Sequence, residues 1–280
     1  MYEKIVEFDK NNKERLYNLF VLKGEAIQKG LMLARQQGVV QGESFHNFYM
    51  SISDQIDPLV QYFLNDEITA SLHERGGIRD LKLEILRDHL NSGDRDKIDL
   101  AFHDIIDMYA NRTDHMIGVN ILGFVIDTYS SFEKFTCEIF DKIVDIEDYE
   151  KSKELKFKTL LGKYEKEHDQ DKRTQLVDKM KKITFYISGA EKINYVISRL
   201  EVDKLEKTKI RDFIDFYRNQ RNTVHNLGVH HGNDMKIDVD DIEISLNSGR
   251  GGYTKDYNAL IFSCNKLMST YERLLEVQQT

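Results

Sequence analysis

The segment FYRNQRNTVHNLGVHHG, residues 216–232, places two Arg-Asn pairs, Arg218-Asn219 and Arg221-Asn222, just ahead of His225. On a helix each residue turns by about 100°, so positions i, i+3 and i+7 share a face. Arg218, Arg221 and His225 have that spacing, and Asn222 lies beside them. Asn219 falls about 100° from Arg218, where it can cap or touch a neighbouring element. A guanidinium is a planar, permanently charged fork that matches phosphate oxygens. An imidazole exchanges a proton near neutral pH. Together they supply what phosphodiester transesterification needs without a metal, namely charge on the phosphorane and a general acid or base. The plainer reading of the same residues is a solvated stripe in which arginine pairs with Asp212 or Asp215.

Other constellations are weaker. His225, His230, His231 and Asp234 could be metal ligands, as could His103, Asp107, Asp114 and His115, but neither set has a closed-site spacing with cysteines. NSGRGGYT, 247–254, is glycine-rich and opens a helix, yet lacks the Lys-Ser/Thr of a P-loop, so a simple turn is expected. Cys137 and Cys264 sit in apolar helical patterns and read as core residues. No metal and no cofactor is expected.

The elements that must hold the stripe read as helices. A single proline, Pro58, in 280 residues implies long helices joined by short turns. Residues 10–112 carry apolar residues at helical spacings, among them Leu16, Leu19, Phe20, Ala26, Leu31 and Leu33, then Ile98, Leu100, Ala101, Ile105, Ile106 and Met108. Pro58 marks a kink or a start, and GGIRD at 76–80 a break. Met116–Ile146 predicts a long central helix, buried on most sides near Val119–Val125. Lys151–Lys182 predicts charged helices around a turn at EKEHDQDK. Ser188 is a candidate N-cap, Gly228 a C-cap for the helix carrying the stripe, and Thr254 a cap for the last helix. DMKIDVDDIEISL alternates as a short strand or hairpin arm.

Composition sets limits. Hydrophobic residues make up 40% and charged residues 31%, as in a soluble globular protein. No run of about 18 apolar residues indicates a transmembrane helix. MYEKIVEFDKNNKERLYNLF lacks the apolar region of a signal peptide, and two distant cysteines imply no disulfide framework, so a cytoplasmic location fits. A net charge of −8 argues against a duplex-DNA coat. The charge is uneven: Lys151–Arg211 holds 17 Lys+Arg against 10 Asp+Glu, a local +7 that leaves −15 elsewhere. A locally basic segment suits a face that meets a polyanion, or a lysine-rich solvated helix face.

RNQRNTVHN, 218–226, resembles the Arg-x(4–6)-His motif of the HEPN superfamily, in which Asn, Asp or His often follows the arginine. Arg218 and His225 have six residues between them, and Asn219 follows Arg218. DTYSSFEKFTCEIF, 127–140, is similar to the family's first core helix with its Ser-x-x-Glu-like pattern, here Ser130 and Glu133. The likeness covers roughly 115–280. It implies an all-α bundle with a HEPN-like domain at 114–280; the residue patterns add a helical N-terminal region at 1–113 and a small β-hairpin insertion. It implies a metal-independent endoribonuclease in which the RNA 2′-OH attacks the adjacent phosphate, leaving a cyclic phosphate and a 5′-OH. Arg218, His225 and Asn219 would be catalytic; Arg221, Asn222 and Glu133 would bind or position RNA. Which arginine faces the scissile phosphate stays open, because Arg221 repeats the Arg-Asn unit. The resemblance further implies a homodimer, a toxin or phage-defence role, and an antitoxin or defence-system partner protein. The alternatives are a catalytically silent module that binds RNA, nucleotide or protein, and a purely structural helical scaffold.

Overall fold

A computed structural model describes residues 10–37, 45–74, 76–77, 79–80, 84, 87, 95–111, 113–183, 186–226, 228–239, 242–251 and 257–277. Among these residues the protein is all-α apart from one hairpin: α1 Lys10–Gln37, α2 Asn47–Glu74, α3 Arg95–Asn111, α4 Thr113–Ile143, α5 Ile146–Lys166, α6 Gln170–Lys181, α7 Gly189–Arg199, α8 Lys204–Asn222, β1 Met235–Val239, β2 Ile242–Leu246 and α9 Tyr257–Glu276. None of the described helices is long and apolar enough to cross a membrane. The chain forms two compact units, Met1–Ser131 with Phe213–Met268, and Phe132–Asp212 with Ser269–Thr280.

In the first unit, α1 buries Leu16, Leu19, Leu22 and Ala26, a spacing of three and four that puts one stripe against α2. Phe20 and Leu31, expected in that stripe, are instead exposed, because they lie off its axis. Leu100 of α3 is exposed as well. Gly30 lets the two helices approach closely: a Cβ there would sit 3.1 Å from Met50 Sδ and 3.3 Å from Tyr49 Cβ. From α2, Phe48, Ile52, Ile56 and Phe63 are fully buried. Pro58 lies inside α2, on its exposed side, and so does not begin the helix. The central helix buries Ile121, Phe124, Val125 and Tyr129, whereas Val119 is exposed.

One buried polar contact fixes α8 to α4. Thr128 Oγ1 lies 2.8 Å from the Phe124 carbonyl and 2.9 Å from the Tyr217 hydroxyl. The carbonyl can only accept, so the threonine proton goes there and Tyr217 donates to Thr128. Burial holds the Tyr217 phenol far above its ordinary value and therefore protonated. Tyr217→Phe removes this one donor and leaves Thr128 satisfied, so denaturant unfolding should show a loss of about 1 kcal/mol with an unchanged slope.

In the second unit the core is Phe132, Ile139 and Phe140 of α4, Ile193, Val196 and Ile197 of α7, and Tyr271 and Leu274 of α9. Its helices begin on side-chain caps. Asp145, Asp169 and Ser188 accept from the backbone N–H groups of Asp148, Lys172 and Glu191. The Ser188 cap is the one the sequence indicates.

Candidate functional site

Helix α8 is anchored by Phe213, Ile214, Phe216, Tyr217 and Gln220, all buried. Thr223 follows, buried too, its hydroxyl donating to the Gln220 carbonyl at 2.7 Å. With those positions facing inward, Arg218, Asn219, Arg221 and Asn222 fall on the half-buried remainder of the helix. The α-helix stops at Asn222, and Thr223–Asn226 continue as a 3₁₀ turn. A 3₁₀ step turns about 120°, not 100°, which moves the backbone of His225 about 60° around the axis from its α-helical position. Gly228 closes this turn rather than an α-helix. Its φ of +82° is one that glycine adopts without strain, and its N–H donates to the Thr223 carbonyl at 2.8 Å. The His225 side chain lies outside the described residues.

The two arginines have different surroundings. Arg218 Nη2 is 2.9 Å from Asp215 Oδ1, one helical turn back. The same Asp215 accepts, through its carbonyl, a 2.7 Å hydrogen bond from Asn219 Nδ2. That amide also lies 3.4 Å from Met235 Sδ at the start of β1. Arg221 donates to Asn222 Oδ1 at 3.0 Å, and its guanidinium carbon stands 5.9 Å from the Tyr129 ring centroid. Tyr129 in turn stacks on Tyr217, with centroids 6.1 Å apart. Thus Arg218 is held by a carboxylate and Arg221 by an amide and an aromatic face. Asp215, Tyr129 and Met235 are neighbours that the motif does not name. Asp215 is legible as an acid at i−3 from Arg218, but the contacts of Tyr129 and Met235 arise only in the tertiary fold.

Glu133 belongs to the second unit, where it packs over the start of α7. A Cβ on Gly189 would lie 2.5 Å from a Glu133 carboxylate oxygen. The other four described candidates share the end of α8 in the first unit.

The histidine and aspartate set after the motif has structural employment. His230 is buried and donates from Nε2 to the Asn233 carbonyl at 2.9 Å. Asp234 accepts from the Ser248 N–H at 2.7 Å, and His231 is exposed. These contacts brace the antiparallel pair β1–β2, in which Ile237 and Ile244 face each other and are both buried. His103 bonds the Asp99 carbonyl at 2.8 Å, while the side chains of Asp107, Asp114 and His115 lie outside the described residues. No group of three metal-ligating side chains occurs among the described residues. In the described part of the glycine-rich turn three amides bond internally: Ser248 to Asp234, Gly249 to the His230 carbonyl and Arg250 to the Asn247 carbonyl. Gly249 has φ +74°, as a tight turn requires, and Thr254 lies outside the described residues. Cys264 is buried, and burial raises its thiol well above the ordinary value. Cys137 is half-buried, and burial pushes its thiol up to about 11. Neither is a reactive thiolate.

No protein-family model, curated protein or solved structure matches the chain.

Proposed function

We propose that this protein is a metal-independent endoribonuclease of the HEPN type. The observation that supports this is the end of α8, where an anchored helix carries Arg218, Asn219, Arg221 and Asn222 on its half-buried side and runs into the turn bearing His225. Two guanidiniums and, in the turn that follows them, a residue able to exchange a proton are the groups the reaction needs. The RNA 2′-oxygen attacks the adjacent phosphorus, the P–O5′ bond breaks, and the products are a 2′,3′-cyclic phosphate and a 5′-OH. The 2′ proton is taken up by a base and a proton is returned to the leaving 5′-oxygen, with His225 assigned to this transfer. Arg218 stabilises the charge of the phosphorane, Arg221 and Asn222 hold the neighbouring backbone, and Asn219 keeps the Arg218 turn in place. Such an enzyme would serve as a toxin or phage-defence effector, under the control of a partner protein.

Because charge and proton transfer come from side chains, cleavage of total RNA should persist in excess EDTA. Loss of cleavage in chelator, restored by a divalent ion, contradicts the proposal. The proposal includes a two-fold homodimer with the motif of both subunits lining one cleft. Light scattering should give about 66 kDa, twice the 32.9 kDa chain, at micromolar concentrations. A monomer throughout that range removes the shared cleft.

The second reading is a catalytically silent RNA-, nucleotide- or protein-binding module. The Arg218–Asp215 ion pair favours it, since Asp215 already neutralises the charge that a phosphate would take.

A further inference from the structure

Helices α5 and α6 form an antiparallel pair in which no residue is buried. The base of this hairpin is tied to the second unit's core. There the ring of Tyr149 packs edge-on against Phe140 and Tyr195, at 5.6 Å each. Lys153 Nζ lies 2.7 Å from Glu191 Oε1, which also accepts from the Tyr149 hydroxyl at 2.9 Å. Burial, with the hydrogen bond to Glu191, pushes the Tyr149 phenol up to about 12. Toward the tip, Arg173 lies over the Tyr164 ring at 4.3 Å and holds α6 to α5. A helix pair that buries no side chain contributes little to a core, so its sequence is free to serve a surface.

That surface has a particular charge. Between the two helices runs a groove of about 660 Å³. Lys163 and Lys166 of α5 and Lys172 and Lys179 of α6 line it, with Glu167 the one acid among its lining residues. All four lysines are exposed, and among the described residues none has an ion-pair or side-chain hydrogen-bond partner. Elsewhere on the same helices several lysines do have acidic partners, as in Lys151–Asp148, Lys158–Glu154 and Lys181–Asp178. Four of the lysines without an acidic partner are therefore gathered in the groove, while Lys156, also exposed and without one, lies outside it. Lys172 and Lys179 are two turns apart, about 10 Å along the helix, so they can meet successive groups of an extended anion. On the floor, a Cβ at Gly162 would meet nothing within 4 Å, and Leu176 adds an apolar side chain. A flat apolar ring can approach there.

We propose that this groove is a docking surface for single-stranded RNA, with the lysines on the phosphates and a base over Gly162 and Leu176. The proposal rests on the reading of RNA as the substrate, since the charge alone identifies only a polyanion. The test uses the full-length protein and a fluorescent 2′-O-methyl oligoribonucleotide, which binds but has no 2′-OH to attack. The combined substitution Lys163→Gln, Lys166→Gln, Lys172→Gln and Lys179→Gln should weaken binding about tenfold or more near 0.1 M salt. It should also flatten the slope of log Kd against log salt by about 0.7 per lysine. Gln175→Lys should tighten binding and steepen that slope. An unchanged Kd and slope in the quadruple variant, with an unchanged circular-dichroism melt, overturns the proposal. So does inorganic polyphosphate of equal phosphate number displacing RNA more effectively than unlabelled RNA does. Failure of the ribonuclease reading looks different: wild-type protein binds the oligonucleotide through these lysines and leaves unmodified RNA intact. Conversely, a quadruple variant that cleaves with unchanged KM contradicts the groove and leaves the ribonuclease reading standing.

Discussion

His225→Ala should lower single-turnover cleavage of a defined RNA by about 10²–10⁴-fold, the contribution of a positioned acid or base. The variant should fold, because the contacts that shape its turn come from other residues. The Gly228 N–H bonds the Thr223 carbonyl and the Thr223 hydroxyl bonds the Gln220 carbonyl. The measurement is a rate at saturating protein, with a melt run alongside. A rate within twofold of wild type removes His225 from the chemistry and, with it, the enzyme reading.

The two arginines should separate in kind. Arg218→Ala should cost about 10²–10³-fold in the cleavage step, the scale of losing one charge-stabilising donor. Its partner Asp215 is partly exposed, and a surface ion pair of this sort is worth about 0–1 kcal/mol, so stability should change little. Arg221→Ala should be milder and should act on KM, with the defect shrinking at saturating RNA. The reason is geometric: Arg221 is held by Asn222 and stands over Tyr129, a setting suited to gripping a backbone. If Arg221→Ala abolishes cleavage while Arg218→Ala does not, the shorter Arg221-to-His225 spacing carries the reaction. In that case the Arg218–Asp215 pair is structural.

The fold class was legible because long helices leave a long record. One proline, caps such as Ser188, and apolar residues three and four apart all pointed the same way. The hairpin was legible from the alternation around Ile237 and Ile244. What failed was phase. Phe20 and Leu31 match a helical period as well as Leu22 does, and only the packing of α2 decides which residue turns inward. The same ambiguity hid the change from α-helix to 3₁₀ after Asn222, since over four residues the two differ by one partial turn. At the site, the Arg-Asn pairs were visible as a run of polar residues in an apolar setting, and Asp215 could be found by counting back three. Tyr129 could not, because Thr128 and Tyr217 stand 89 positions apart, and the packing of α4 on α8 exists only in the tertiary fold. The lysine groove was visible only as a surplus of charge. The paired lysines can be counted from their i,i+3 and i,i+4 acids, but which of the rest gather depends on how α5 and α6 pack.

The most direct test of the central claim is the chemistry of the cut ends. A single-cut RNA is digested by the wild-type protein in EDTA, and the fragments are analysed by mass spectrometry. The account predicts a 2′,3′-cyclic phosphate on the upstream fragment and a 5′-OH on the downstream one, with both absent for His225→Ala. A 3′-OH paired with a 5′-phosphate would contradict it, because those ends require water or a metal-bound hydroxide as the nucleophile in place of the RNA 2′-OH.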